Sequence, residues 1–457
     1  MEDALDRDEV EGALRGHEAD YLEVRLDDTA TNRIVYRGRE LEEIGRIRSF
    51  GGNVRALVRG GWGFVSFNEP SKLRKRVEEA VSAAHHVGRE TSMLAEVPPV
   101  VDRVRLEAKK DPRAIPLATK KEMLDRYNER MLSVEGVTST NIMYSDSHKQ
   151  VVFASSEGSY IEQERIDVVS RLSATARKNG DVQQASMSLG ALNDFSYIEA
   201  LDEIARHLGE RAVELLSAPY VKAGTYPVVL DPILAGVFCH EAFGHLSESD
   251  FVYENERMKE IMVLGRQFGQ PHLNIVDGAA VPGLRGSFRY DDEGVPAQET
   301  DLIREGILVG RLHSRETAGK MGERVTGNAR AIDYRFPPIV RMTNTYIEPG
   351  NMSFEELIAD IDEGVYARNW FGGTTSMEMF TFSAGEAYMI RNGKVAELLR
   401  PVKLTGNLFT TLINIDALGN DIDFNQGGGC GKGGQMPLPV SNGSPHIRIR
   451  DVVVGER

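Results

Sequence analysis

Val54, Ala56 and Val58 alternate with Arg55, Leu57 and Arg59, and after Gly60-Gly61 a second short run follows from Trp62 to Phe67. A period of two interrupted by paired glycines predicts a hairpin. The period then changes. Leu73, Val77, Ala80, Val81 and Ala84 recur at helical spacing, with Ser71 placed to cap the first turn. Thr119 and Glu122 form a capping-box pattern ahead of Met123, Leu124, Tyr127, Met131 and Leu132, predicting a second amphipathic helix. Strand-like runs follow at 137–145, 150–156, 159–164 and 167–177, separated by polar or glycine-containing turns. A helix over 195–217, with Leu201, Ile204, Ala205, Leu208, Ala212, Leu215 and Leu216 as its apolar stripe, closes the first half.

Ser217-Ala218-Pro219 through Gly224 reads as a linker, Tyr226 to Leu230 as a short strand, and 232–246 as an apolar helix. Beyond it the pattern is mostly β. Glu305-Gly306 and Asn392-Gly393 are turn signals inside alternating runs, and Ser353 with Glu356 forms a capping box ahead of Phe354, Leu357, Ile358 and Ile361. The expectation is an α+β fold. An N-terminal mixed strand/helix domain, 1–217, precedes a β-rich domain, 218–457, that carries the 232–246 helix and a glycine-rich loop at 427–435.

Composition agrees with this division. A chain of 457 residues exceeds one compact core, and 41% hydrophobic with 27% charged residues is ordinary for a globular protein. The net charge of −15 argues against nucleic acid or an anionic membrane as partner. Two cysteines make no disulfide framework, which points to a reducing compartment, and Met1-Glu2-Asp3-Ala4-Leu5-Asp6 lacks the apolar stretch of a signal peptide. No run approaches the roughly 20 apolar residues of a membrane span. The expected location is cytoplasmic.

Chemistry concentrates in His240-Glu241-Ala242-Phe243-Gly244-His245. Neutral imidazoles bind a borderline metal such as zinc, and a neighbouring carboxylate that is not itself a ligand can take a proton from activated water. The histidines are five apart rather than four. Five steps turn a helix about 500°, so a regular helix would point the two rings roughly 140° apart. Either a π-type turn or a helix that ends and swings back would reunite them, and Gly244 favours the second. A catalytic zinc keeps three protein ligands and an open position. The third ligand could be Glu248, three residues after His245, or Asp250, or Cys430 in the glycine-rich loop, where Lys432 would favour the thiolate. Cys239 reads as a packed, apolar residue. Asp291-Asp292-Glu293-Gly294 reads as a solvated turn, although three carboxylates could hold a hard cation. His85, His86, His148, His207, His272, His313 and His446 lack ligand spacing and read as surface or structural.

The segment from Gly236 to His245, followed by Glu248 and Asp250, resembles the metal motif of the TldD/PmbA peptidases. Asp291-Asp292-Glu293-Gly294, Arg341-Met342-Thr343-Asn344-Thr345, Gly385-Glu386-Ala387-Tyr388 and Cys430-Gly431-Lys432-Gly433-Gly434-Gln435 recur there in the same order. The likeness is strongest from about residue 225 onward. Phe238-Cys239 departs from the aliphatic pair expected before His240. The resemblance implies that His240, His245 and Cys430 bind zinc and that Glu241 is the general base. It also implies pairing with a similarly folded paralogue that lacks the motif.

Three functions are therefore in view. The first is a zinc peptidase acting on unfolded or precursor peptides, which an added strand in the β-rich half could hold. The second is a deformylase-like amide hydrolase of small N-blocked substrates, with Fe2+ in place of zinc. The third is a non-catalytic peptide-binding subunit with structural zinc. Holding the 427–435 loop in order costs roughly 1–2 kcal/mol per residue. That cost predicts a buttress, expected from a heterodimer with the motif-lacking paralogue rather than from a homodimer.

Overall fold

The computed structural model describes residues 6–87, 92–376 and 378–456; the segment Met1 to Leu5, read above for targeting signals, lies outside them. The chain is mixed α+β, with a largely antiparallel sheet in the first half and a β-rich second half that closes a barrel.

Alternation along long strands organises the first half. Tyr21–Arg37 pairs with Glu40–Val58 on one side and Val137–Ser155 on the other. Val137–Ser155 continues onto Tyr160–Lys178 and then Asp181–Leu192. Gly61–Phe67 closes one edge, and the turn it forms with Glu40–Val58 is Arg59-Gly60, both left-handed, one residue earlier than the paired glycines suggest. One face of this sheet is apolar. Leu22, Val24, Leu26, Ile34 and Tyr36 line up on it with Ile142, Tyr144, Val152 and Ala154. Helices Arg7–Leu14 and Leu73–Val87 cover one part of that face, and Leu117–Leu132 and Asp202–Leu215 the other. The opposite face carries Glu23, Arg25 and Asp27 and is buried as well, because the second half packs on it. A sheet buried on both faces with charges on one must pair those charges.

Several expected boundaries move. The runs 137–145 and 150–156 are a single strand, as are 159–164 and 167–177, and Asp181–Leu192 is a further strand that the pattern did not reveal. Asp146, read as part of a turn, is a buried strand residue that accepts from Lys120 Nζ at 2.6 Å and from the Tyr144 hydroxyl at 2.6 Å. Ser71 does not cap its helix, since a 3-10 turn at Pro70–Lys72 precedes Leu73. The Thr119 box is likewise unused, because the helix starts earlier, at Leu117 behind Pro116. The 195–217 helix shortens to Asp202–Leu215 after a 3-10 turn at Phe195–Ile198.

In the second half Gly224–Leu230, Ile447–Glu456, Val402–Asn407, Met379–Arg391 and Glu363–Ser376 pair in succession, and the last pairs with the first. This ring is a small barrel. A second sheet is built from Ile307–Leu308, Glu299–Arg304, Ile275–Gly278, Asn344–Ile347, Ser441–Ser444 and Asp423–Asn425. The expected turns at Glu305-Gly306 and Asn392-Gly393 form with both residues left-handed, and the Ser353/Glu356 capping box is made in full. Among the described residues no helix is long and apolar enough to cross a membrane.

Candidate metal centre

Asp231 starts the central helix: its carboxylate accepts from Leu234 N at 2.9 Å, and Pro232 occupies the first helical position. The helix is apolar on every side because it lies between the two β structures. Phe238 meets Phe380 and Phe382 of the barrel edge-on, at 5.5 and 6.1 Å between centroids. Gly236 touches the other sheet, where a Cβ would stand 2.6 Å from Asn442 O. Cys239 is fully buried, and burial pushes its thiol well above the usual range, so it packs as an apolar residue, as expected.

The α-helix ends at Cys239, but the chain does not leave the axis. His240–Gly244 is a π-turn and His245–Ser247 a 3-10 turn. Of the two ways to bring five-spaced rings together, the structure uses the wider turn rather than the expected termination at Gly244. The imidazoles lie edge to face with centroids 5.1 Å apart. Gly244 is helical, and its lack of a side chain serves packing: a Cβ there would lie 2.0 Å from Met342 Sδ. Gly244→Ala should therefore cost about 1–3 kcal/mol, the usual price of overpacking. A second change, Met342→Ala, should recover part of that loss. Thermal unfolding of the single and double variants measures it.

Cys430 comes from the other direction. The glycine-rich segment is a β-hairpin, Gly429–Lys432 with Gln435–Pro439, turning at the left-handed pair Gly433-Gly434. Cys430 is buried, and its Sγ lies 3.4 Å from His245 Nε2. One ligand atom each from His240, His245 and Cys430 falls within 4.8 Å of the others. No other group of three or more such side chains forms among the described residues.

Charge at this cluster is consistent with a cation. Burial alone would raise the Cys430 thiol, yet His240 and His245 outweigh it and bring it down to about 4. Burial alone would lower His245, yet Cys430 and Glu248 hold it well above its ordinary value. A thiol held low beside an imidazole held high favours a negative sulfur facing a positive charge, the charge that a cation would carry there. His240 Nδ1 is buried with no hydrogen-bond partner among the described residues. Two imidazoles and a thiolate, one nitrogen of them orphaned, fit zinc.

The other candidate ligands take supporting positions. Glu248 is buried and accepts from His245 Nδ1 at 3.0 Å, which fixes the ring with Nε2 toward Cys430. Asp250 accepts from Lys432 Nζ at 2.6 Å, and Lys432 also pairs with Glu248 at 3.1 Å. Lys432 therefore ties the hairpin to the 248–250 segment, while the histidines set the thiolate. Glu241, next to His240 on the π-turn, is half-buried, and no hydrogen bond or ion pair holds its carboxylate among the described residues.

Arg341 is the anchor that the motifs contain without declaring it. Fully buried, it donates to Cys430 O at 2.8 Å and Gln435 O at 3.3 Å, one bond to each strand of the hairpin. Gln435 accepts from Ile332 N at 2.9 Å. Arg285 bonds Gly428 O at 2.7 Å while forking onto Asp167 of the N-terminal sheet at 2.7 and 2.8 Å. The buttress expected from a partner subunit is thus supplied within the chain.

Asp291 to Gly294 is a correction. It is a buried bridge between the two halves rather than a solvated turn. Glu293 pairs with Arg55 at 3.1 Å and accepts from Arg315 N at 2.8 Å, and Asp292 pairs with Arg25 at 3.0 Å. Asp291 accepts backbone N–H groups from Glu293, Val295 and Ala329, and burial together with Glu293 holds its carboxyl well above the usual range. The remaining histidines stay apart from the cluster; His313, for example, bonds Thr317 and Glu323, and His446 bonds Tyr366 and Asp421.

Comparison with known proteins points the same way. Family models described as PmbA/TldA metallopeptidase domain 1, central domain and C-terminal domain match residues 22–84, 110–217 and 223–456. A metalloprotease of Synechocystis sp. is 50% identical over 440 residues, 96% of this chain and 95% of that protein. A zinc metalloprotease TldD homologue of Saccharolobus solfataricus is 38% identical over 257 residues, 56% of this chain and 57% of its own. Among solved structures, TldE of Thermococcus kodakarensis superposes with a TM-score of 0.74 at 18% identity, covering 96% of this chain and 97% of that one, a likeness of fold. With family models spanning both halves and a half-identical relative along nearly its whole length, the chain belongs to the PmbA/TldD metallopeptidase family.

Proposed function

We propose that this chain is a zinc peptidase that hydrolyses peptide bonds of unfolded or precursor peptides. The observation that carries the reading is the convergence of His240, His245 and Cys430 within 4.8 Å, with Glu241 adjacent in sequence. Those three side chains would hold the metal. When bound there, zinc supplies Lewis acidity, making water a better nucleophile and a carbonyl a better electrophile.

The chain's own residues do the rest. Glu241, which has no hydrogen-bond or ion-pair partner among the described residues, takes the proton of the attacking water, then delivers it to the departing amine, which leaves as the C–N bond breaks. Glu248 holds His245 in the tautomer that presents Nε2. Arg341 and Lys432 hold the hairpin so that the Cys430 thiolate stays in register with the histidines.

A structural zinc is usually closed by four protein ligands, and the described residues offer three, which favours catalysis over simple peptide capture. A dimer with a motif-lacking paralogue and a cytoplasmic location belong to the proposal on the strength of the family resemblance and the lack of cysteine pairing. The test is cleavage of an unfolded protein by the purified chain, alone and with a paralogous partner. Chelation should abolish cleavage and zinc should restore it; cleavage insensitive to chelation would refute the reading.

Glu248→Gln should keep the fold and lower zinc affinity about 10–100-fold, the range typical when the hydrogen-bond partner of a ligand is weakened. Competition with a zinc-binding dye measures it.

A further inference from the structure

A half-open cavity of about 1020 Å³ lies between the charged face of the N-terminal sheet and the second half of the chain. None of His240, His245 or Cys430 lines it. It reaches the hairpin that carries Cys430 along its second strand, at Pro437, Leu438 and Pro439, and Leu438 is the register partner of Cys430. Neighbouring strands stand about 4.7–4.9 Å apart, so the cavity wall is one strand from the candidate ligand.

Positive charge in this wall is unevenly matched. Arg25 has Asp27 at 2.7 Å and Asp292 at 3.0 Å, and Lys149 shares Asp27 at 3.2 Å. Asp167 is taken by the Arg285 fork, which leaves Arg165 a long 3.9 Å contact and one bond to Arg285 O. Arg330 is 4% exposed and has no carboxylate partner among the described residues. It donates to the carbonyls of Met342 and Pro439 and lies over the Phe288 ring, 5.3 Å from its centroid. Carbonyls satisfy its N–H groups, and Asp292 and Asp277 act on its charge only from a distance, so this buried cation lacks a counter-ion in contact, which is costly. Burial, with Arg165 and Arg341 nearby, accordingly draws Arg330 down to about 9.

We propose that this cavity seats a carboxylate of the substrate peptide between Arg330 and Arg165, with Phe288 and Leu438 beside it as apolar surface. The inference rests on the peptidase reading and narrows it. Preferred substrates carry a carboxylate, either the peptide C-terminus or an Asp or Glu side chain.

Fluorescence anisotropy on metal-free protein tests the seat without turnover. The probes are a dye-labelled neutral peptide as free acid, the same peptide as C-terminal amide, and an amide with one internal Glu. A charge-assisted hydrogen bond is worth about 1.5–3 kcal/mol, so at least one carboxylate-bearing peptide should bind roughly ten- to a hundredfold more tightly than the neutral amide. Which one it is identifies the source of the carboxylate. Arg330→Met should erase the difference. Because Arg330 also bridges two segments, Arg165→Met, which gives up one backbone bond and a long ion pair, serves as the second variant. It should weaken the carboxylate peptide severalfold and leave the neutral amide unchanged. Equal affinity of all three peptides for the native chain would overturn the proposal, as would a preference that survives Arg165→Met undiminished. Carboxylate-dependent binding without any zinc-dependent cleavage would instead refute the peptidase reading and leave the seat standing.

Discussion

Glu241→Gln should leave zinc content unchanged and reduce peptide cleavage by about 10²–10⁴, the usual contribution of a positioned general base. The amide has nearly the shape of the carboxylate but does not accept a proton, and it adds no charge near His240. Glu241 makes no ion pair that the substitution would break among the described residues, so the fold should be unaffected. Zinc analysis, thermal unfolding and cleavage rates on the same preparation separate these effects. Full cleavage by a zinc-loaded variant would remove Glu241 from the mechanism.

Cys430→Ala should lower zinc affinity by more than the 10–100-fold expected at Glu248, because a ligand is lost rather than its support. The Cys430 thiolate is also the anionic member of the three candidate ligands. Its removal leaves two imidazoles and a buried carboxylate to do the work of three ligands. The hairpin itself should survive, since Arg341 grips Cys430 through its carbonyl rather than its thiol. Titration with zinc, with the fold monitored by circular dichroism, distinguishes the two contributions. Unchanged affinity in Cys430→Ala, with a large loss in Glu248→Ala, would make Glu248 the ligand.

The parts of this site that were legible in the sequence are those fixed by neighbours in the chain. The five-residue spacing of His240 and His245 already excludes a regular helix, and the π-turn is one of two solutions that spacing allows. The choice between them was not legible. Gly244 has the look of a helix terminator, but what it accommodates is Met342, and that contact exists only once the two segments pack. Asp291, Asp292 and Glu293 misled for the same reason. Their partners Arg25 and Arg55 lie on distant strands and Arg315 at the start of the helix Arg315–Met321, and three acids before a glycine cannot announce them. Asp146 shows the same limit on fold: a polar residue in a strand reads as a break until Lys120 is seen beside it. Arg341 stood within a recognised motif, yet its grip on both strands of the hairpin is a tertiary fact.

That grip also changes the case for a partner. The 427–435 hairpin is held by Arg285, Arg341, Lys432 and Gln435 of the same chain, so order in the loop does not require a second subunit. A dimer would have to be justified by what it adds to substrate binding.

The most direct measurement is anomalous X-ray scattering at the zinc edge from crystals of the purified chain. A single strong peak should lie within bonding distance of His240, His245 and Cys430, about 2.0–2.3 Å from each ligand atom, with Glu248 and Asp250 outside that range. A zinc peak bonded to Glu248 or Asp250 in place of Cys430, or the absence of any peak at this cluster in zinc-saturated crystals, would contradict the account.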